Sequence, residues 1–365
     1  MMAYFPLVLS LVIFLCFASP SSSDFSPAEP LLQPDVDGLS VSAPSPPATT
    51  GGSSVSVVVG SGGDRGDQRA AGRALESFPA VVNSTVMFLH VFKCAGTTLR
   101  EVLITWANRE GWNGAEVAYC SKMALLNSGH ICLNDKNDLA DPLEELSLVK
   151  DTKVFAGHFL WDFRHYVTAP YLMLTMLRNP LELFVSSQQY MHKAETRTLN
   201  ESVAFVSGSM RSRISRRNPT DIAFVRRFLD SEIADTYDPR KVYPDQEMMD
   251  WTESAVDHLN TFYVVGVVEQ YQGFIEVLKR LFDSDGEHPE LWKAAVSVKN
   301  NGAPVHSGEV LRGIDPDLIR DFNSSTLSMQ WQVYSAALQL WDQRCREVLP
   351  VEDHLDLCSV SMNRL

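Results

Sequence analysis

The sequence predicts an α/β fold with a central parallel sheet flanked by helices, and three observations carry that expectation. Short apolar runs of strand length alternate with longer amphipathic segments. The runs lack the polar alternation of a strand with one wet face, so both faces are covered. Residues that turn the chain or cap a helix follow the runs at once. The runs are Val86–Val91, Lys153–Ala156, Tyr171–Leu177 and Phe262–Val268.

The first run passes through a small-residue turn into TTLREVLITWANREG, where Leu99, Val102, Leu103 and Trp106 recur on one helical face. The third run stops at Arg178-Asn179-Pro180. There Asn suits a helix cap and Pro the first turn, and LELFVSSQQYMHKA continues as helix. After the fourth run, Gln270–Phe282 reads as an amphipathic helix with Phe274, Val277, Leu278 and Leu281 inward, and Leu327–Val348 as a long helix. In sheets of this kind ligands bind at the carboxyl ends of the strands, so the loops after the runs are where chemistry is expected.

Of 365 residues, 45% are hydrophobic and 21% charged, which suffices for one large domain core. A net charge of −14 excludes a protein that coats nucleic acid, since such binding rests on neutralising phosphates. Three segments are expected. Residues 1–23 carry no charge and include the apolar stretch Leu7–Ala18, which reads as a signal peptide or an uncleaved signal anchor. Residues 24–80, rich in Ser, Pro and Gly, read as a flexible stem. Residues 81–365 are expected to form the single large folded domain.

A leader of this kind is expected to send the domain into the secretory pathway, as a type II membrane protein if uncleaved or as a secreted one if cleaved. The acceptor triplets at Asn83, Asn200 and Asn323 agree with glycosylation there. Apart from Cys16 and Cys94, the cysteines fall into two close pairs, Cys120 with Cys132 and Cys345 with Cys358. Local disulfides are expected in an oxidising lumen, and the spacing speaks against zinc.

Two segments carry chemistry. In His90-Val91-Phe92-Lys93-Cys94-Ala95-Gly96-Thr97-Thr98-Leu99 a strand gives way to a helix. Free N–H groups and the positive end of the helix dipole would face an anion there, with two hydroxyl donors and an ammonium at hand. The order differs from the nucleotide-triphosphatase loop GxxxxGK[ST], because Lys93 precedes the glycine. In Arg178-Asn179-Pro180-Leu181-Glu182-Leu183-Phe184-Val185-Ser186, a guanidinium leaves a buried strand and a hydroxyl follows eight residues on.

The first segment resembles the 5′-phosphosulfate loop H-x-P-K-[ST]-[AG]-G-[ST]-[ST]-L of Golgi carbohydrate sulfotransferases of the heparan sulfate and chondroitin type, with Phe92 in place of Pro and Cys94 in place of Thr or Ser. The second resembles their 3′-phosphate motif L-R-[DN]-P-x-x-R-x-x-S, with Leu183 where a second Arg often stands. The resemblance implies a P-loop nucleotide-hydrolase-like fold and sulfonyl transfer from 3′-phosphoadenosine 5′-phosphosulfate (PAPS) to a carbohydrate hydroxyl, with no metal. It implies that Lys93, Cys94, Ala95, Gly96, Thr97, Thr98, Arg178 and Ser186 hold the donor. Val298-Lys299-Asn300-Asn301-Gly302 resembles the loop that closes over the phosphates, with Lys299 as a contact. The unit VVGVVEQYQGFIEVLKRLF resembles a strand and helix of the family core.

An in-line displacement needs a base for the acceptor hydroxyl. Gly157-His158 follows the second run, and related enzymes recruit a histidine from such a segment, so Lys93 and His158 are the expected catalytic pair; His165 and Glu101 are rivals. Arg211, Arg213, Arg216 and Arg217 would hold an acidic polysaccharide or simply form a solvated loop. Trp106, Trp161, Trp251 and Trp292 either stack on sugars or fill the core. Rival functions are a P-loop kinase, a non-catalytic nucleotide-binding relic, and a sulfotransferase for protein tyrosine or a small molecule. Oligomeric state is not written in the sequence.

Overall fold

The computed structural model describes residues 83–119, 130–133, 149–193, 195–215, 225–237, 241, 243–297 and 305–360. Leader, stem, Cys120 and Lys299 lie outside them, as do Arg216, Arg217 and the side chain of Cys132.

Six strands form one parallel sheet in the order β3-β2-β4-β1-β5-β6. They are β1 (Thr85–Leu89), β2 (Asn113–Tyr119), β3 (His130–Leu133), β4 (Thr152–Gly157), β5 (Tyr171–Leu177) and β6 (Val264–Val267). All four strands read from the sequence are present; β2 and β3 are additional. β1 is central, paired with β4 on one side and β5 on the other, so that Leu89 aligns with both Gly157 and Thr175. Its residues Val86, Met87, Phe88 and Leu89 are all buried, as a strand with helices on both faces requires.

Helix α1 (Gly96–Arg109) returns from β1 with Leu99, Val102, Leu103 and Trp106 inward. Helix α2 (Pro180–Met191) starts on Asn179, whose side chain accepts from the N–H groups of Leu181 and Glu182, with Pro180 in the first turn. That cap matches the sequence reading. The chain continues through α3 (Leu199–Ser215), α4 (Ser231–Thr236), α5 (Asp245–Leu259), α6 (Tyr271–Phe282), α7 (Pro289–Ser297), α8 (Ser307–Arg312) and α9 (Pro316–Ser325) to the long α10 (Ser328–Val348). Helix α10 lies against β6 and α5.

After α10 the chain folds back, and Cys345 is disulfide-bonded to Cys358, the second of the two expected local pairs. Trp341 Nε1 donates to the Cys358 carbonyl at 3.1 Å in the same corner. Among the described residues no helix is long and apolar enough to cross a membrane.

The chain leaves β1 toward β2, β3 and β4 on one side and reaches β5 and β6 on the other. The carboxyl ends of β1 and β5 therefore border the point where the winding direction reverses, which is where open sheets of this kind leave a crevice.

Candidate active site

Three adjacent strands, β4, β1 and β5, end side by side, and the loops they feed carry His158, Lys93 and Arg178. The backbone ties these ends together. His90 N–H donates to the Gly157 carbonyl at 2.8 Å, His158 N–H to the Val117 carbonyl at 2.9 Å, and Thr175 Oγ1 to the Leu89 carbonyl at 2.9 Å. Gly157 has to be glycine, because a Cβ there would stand 1.9 Å from the Val117 carbonyl oxygen.

The loop after β1 is built from strained backbone. Lys93 and Ala95 have φ of 62° and 56°, the two non-glycine residues with positive φ among those described. Each such residue costs roughly 1–2 kcal/mol, and strain of this kind gathers where a backbone must present itself to a ligand. Helix α1 begins with no side-chain cap and no acidic residue in its first turn, so its leading N–H groups and the hydroxyls of Thr97 and Thr98 stand ready for an anion. Gly96 is fixed by the ring beneath it: a Cβ would meet His90 Cδ2 at 1.9 Å.

Lys93 has its ammonium 4.4 Å from the centre of the Tyr190 ring, and Phe92 meets the same ring edge to face at 5.3 Å. Burial, then the charges of Arg178 and Lys193, lower the Lys93 pKa below the ordinary lysine value. The Arg178 charge therefore reaches the Lys93 ammonium. Cys94 is buried, and burial pushes its thiol far above the usual range. Its sulfur accepts from the Arg178 backbone and its N–H donates to the Val91 carbonyl at 3.2 Å, so Cys94 ties the two loops together and is no nucleophile.

The loop after β5 is built from side chains. Arg178 donates to Glu182 Oε2 from Nη2 at 2.9 Å and from Nε at 3.3 Å, and its Nη2 also reaches Ser307 Oγ at 3.3 Å. The sequence reading left this guanidinium free for an anion; here it is paired in advance. Ser186 is buried one turn beyond Glu182 on the same face of α2. Asn179 N–H donates to Glu269 Oε1 at 2.8 Å, and the Tyr334 hydroxyl donates to the same carboxylate. Burial raises the pKa of Glu269 and, aided by the Glu269 charge, that of Tyr334. The VVGVVEQ segment, read as core, thus also steadies the turn that carries Arg178.

His158 is held by its Nδ1, 2.9 Å from the His90 carbonyl. A carbonyl only accepts, so Nδ1 carries the proton and Nε2 keeps a lone pair. Burial, then the positive charge of Arg227 and, more weakly, Arg100, lower its pKa to about 4 against the opposing pull of the His90 carbonyl. The His90 ring stacks on it at 4.2 Å and is kept neutral, its pKa lowered to about 2 by burial and by His158. Neither rival stands in this row: His165 is exposed beside Asp162 on the turn Trp161–Tyr166, and Glu101 is exposed on α1.

Of the other candidates, Trp106, Trp161, Trp251 and Trp292 are all buried in the core. Arg213 lies over the Phe184 ring at 5.2 Å. The sequence reading did not single out Glu182, Glu269, Ser307, Tyr190 or the ring of His90. Only the exposed aromatic Tyr190 four residues after Ser186 offered a signal; the rest act through contacts between distant segments.

This arrangement sets a neutral imidazole beside two cationic loops at the ends of three adjacent strands. Residues 82–320 match the sulfotransferase family. That is well over half the chain, which therefore belongs to the sulfotransferase family and acts with a sulfonyl donor. A search among curated proteins returned no match.

Proposed function

We propose that this protein transfers the sulfonyl group of PAPS to a hydroxyl of a carbohydrate, within the secretory pathway and in the Golgi lumen in particular. The observation that carries the reading is the row formed by His158, Lys93 and Arg178 on the loops at the ends of three adjacent strands. Two separate anion subsites side by side suit a donor with a phosphosulfate at one end and a 3′-phosphate at the other. Lys93, the α1 amides, Thr97 and Thr98 would hold the first; Arg178 and Ser186, with Ser307, would hold the second.

In the transfer, His158 Nε2 takes the proton of the acceptor hydroxyl as its oxygen bonds to sulfur. The bond from sulfur to the phosphate oxygen breaks, and Lys93 with the loop amides stabilises the charge left on 3′-phosphoadenosine 5′-phosphate (PAP). Family membership favours this reading over a kinase. The Cys345–Cys358 disulfide supports an oxidising compartment.

The test is incubation with radiolabelled PAPS and a panel of glycans, tyrosine peptides and small phenols. Label is expected on a glycan; label confined to peptide or phenol, or none despite tight PAP binding, overturns the reading. The base is tested by pH. In the free enzyme the acid limb of kcat/KM should lie near pH 4, where His158 gains its proton. Bound phosphates favour the imidazolium, so the acid limb of kcat should lie at higher pH. His158→Ala should lose that limb with roughly 10²–10⁴ of the rate and keep PAP affinity.

A further inference from the structure

Of the three Asn-X-Ser/Thr triplets in the sequence, one is held by the fold in a way the other two are not. Asn83 and Asn200 are exposed, whereas Asn323 is half-buried in the last turn of α9, with Ser324 and Ser325 exposed beside it. Trp331 of α10 donates from Nε1 to Asn323 Oδ1 at 3.2 Å, and the indole is itself braced edge-on by the Tyr334 ring at 5.8 Å. An indole N–H only donates, so the Asn323 atom that faces it is the oxygen and Nδ2 points elsewhere. Among the described residues Nδ2 has no hydrogen-bond partner. The side chain is thus gripped by its oxygen, while the nitrogen that carries sugar in such a triplet is left open.

Asn323 also lines a groove of about 710 Å³ formed by α8, α9 and α10, within the roughly 300–1,000 Å³ of clefts that hold small molecules. Ile314, Ile319 and the Trp331 indole give it apolar walls, and Arg312 and Ser328 give it a polar rim. A pyranose divides the same way, with C–H groups on one face and polar groups round its edge, and an aromatic ring with polar neighbours suits that face. We propose that Asn323 carries an N-linked glycan whose innermost N-acetylglucosamine lies in this groove, its C–H face on Trp331 and its polar edge toward Arg312 and Ser328. The inference rests on the reading that the chain passes through the secretory pathway, and adds to it a modification and a seat for the sugar. In the attachment, Nδ2 bonds to the anomeric carbon of an oligosaccharide linked to a lipid pyrophosphate. The bond from that carbon to the pyrophosphate breaks, and Nδ2 gives one proton to a base of the transferring enzyme. The transfer takes place as the chain enters the lumen; once α9 and α10 meet, the grip of Trp331 on Oδ1 fixes the direction in which the linkage leaves.

The experiment expresses the full chain in eukaryotic cells with its own leader and reads the occupancy of each triplet by mass spectrometry, after enzymatic deglycosylation in heavy-oxygen water. Asn323 should be occupied. The folded protein is then treated with peptide N-glycosidase, which cuts the bond to Nδ2, and release is followed site by site. Release from Asn323 should be about tenfold slower than from the denatured chain. Trp331→Phe keeps an aromatic ring but drops the donor to Oδ1; it should speed release from folded Asn323 about fivefold and leave any other occupied site unchanged. Should that variant melt early, Ser328→Leu, an exposed change at the start of α10 that narrows the groove, should give the same faster release. An empty Asn323 beside an occupied Asn83 or Asn200 overturns the proposal. So does release from folded Asn323 as fast as from the denatured chain, or release that neither substitution alters. No glycan at any of the three triplets is a different failure: it removes the secretory reading, and the proposal with it.

Discussion

The loops after β1 and β5 leave neighbouring strands side by side, yet they are made by opposite means. The first holds two non-glycine residues at positive φ, an uncapped helix start, and a lysine resting on an exposed ring. The second is fixed several times over: Asn179 caps α2, Glu269 and Tyr334 hold Asn179, and Glu182 with Ser307 holds Arg178. Under the proposed function the amide-built loop serves the charge that develops during transfer, and the loop of pre-paired side chains serves recognition of a fixed charge.

The largest expected effect tests that division. Lys93→Ala should lower kcat by roughly 10²–10³ and keep PAP affinity within a few fold, whereas Arg178→Ala should lose PAP affinity first. Similar profiles for the two variants would break the distinction. Next is Glu269→Ala, which strands the Asn179 N–H and the Tyr334 hydroxyl. It should cost about 2–3 kcal/mol in denaturant unfolding and raise the KM for PAPS more than it lowers kcat. Smaller is Glu182→Gln, which takes a negative charge from beside the Arg178 guanidinium and should tighten PAP binding about fivefold at low salt; weaker binding would show that Glu182 aims Arg178. The smallest is Ala95→Gly. It relieves one positive φ at some cost in unfolded-chain entropy and should stabilise by no more than about 1 kcal/mol, with a measurable fall in kcat if the loop geometry is as rigid as the strain implies.

The same contrast shows what the sequence could express. Both loops were legible because each is a contiguous run whose donors and caps lie within ten residues. The strands with both faces buried were legible for a similar reason: YLMLTML has no polar alternation to confuse it. β2 was missed because Asn113, Gly114 and Glu116 dilute NGAEVAY, and β3 because HICL is only four residues long. α5 buries little beyond Trp251, Thr252, Ala255 and Leu259, too sparse a stripe to announce itself. The supports of the site were illegible for another reason. Asn179 meets Glu269 across 90 positions, Arg178 meets Ser307 across 129, and no local pattern encodes such pairings.

The family match stops at residue 320, but α10 begins at Ser328 and brings Tyr334 to Glu269 while covering β6. A protein trimmed to the matched span would therefore lose the far end of the relay that steadies Arg178, and would bare the outer strand of the sheet to self-association. The minimal active fragment must run through Cys358, where the disulfide clasps the final turn to that helix.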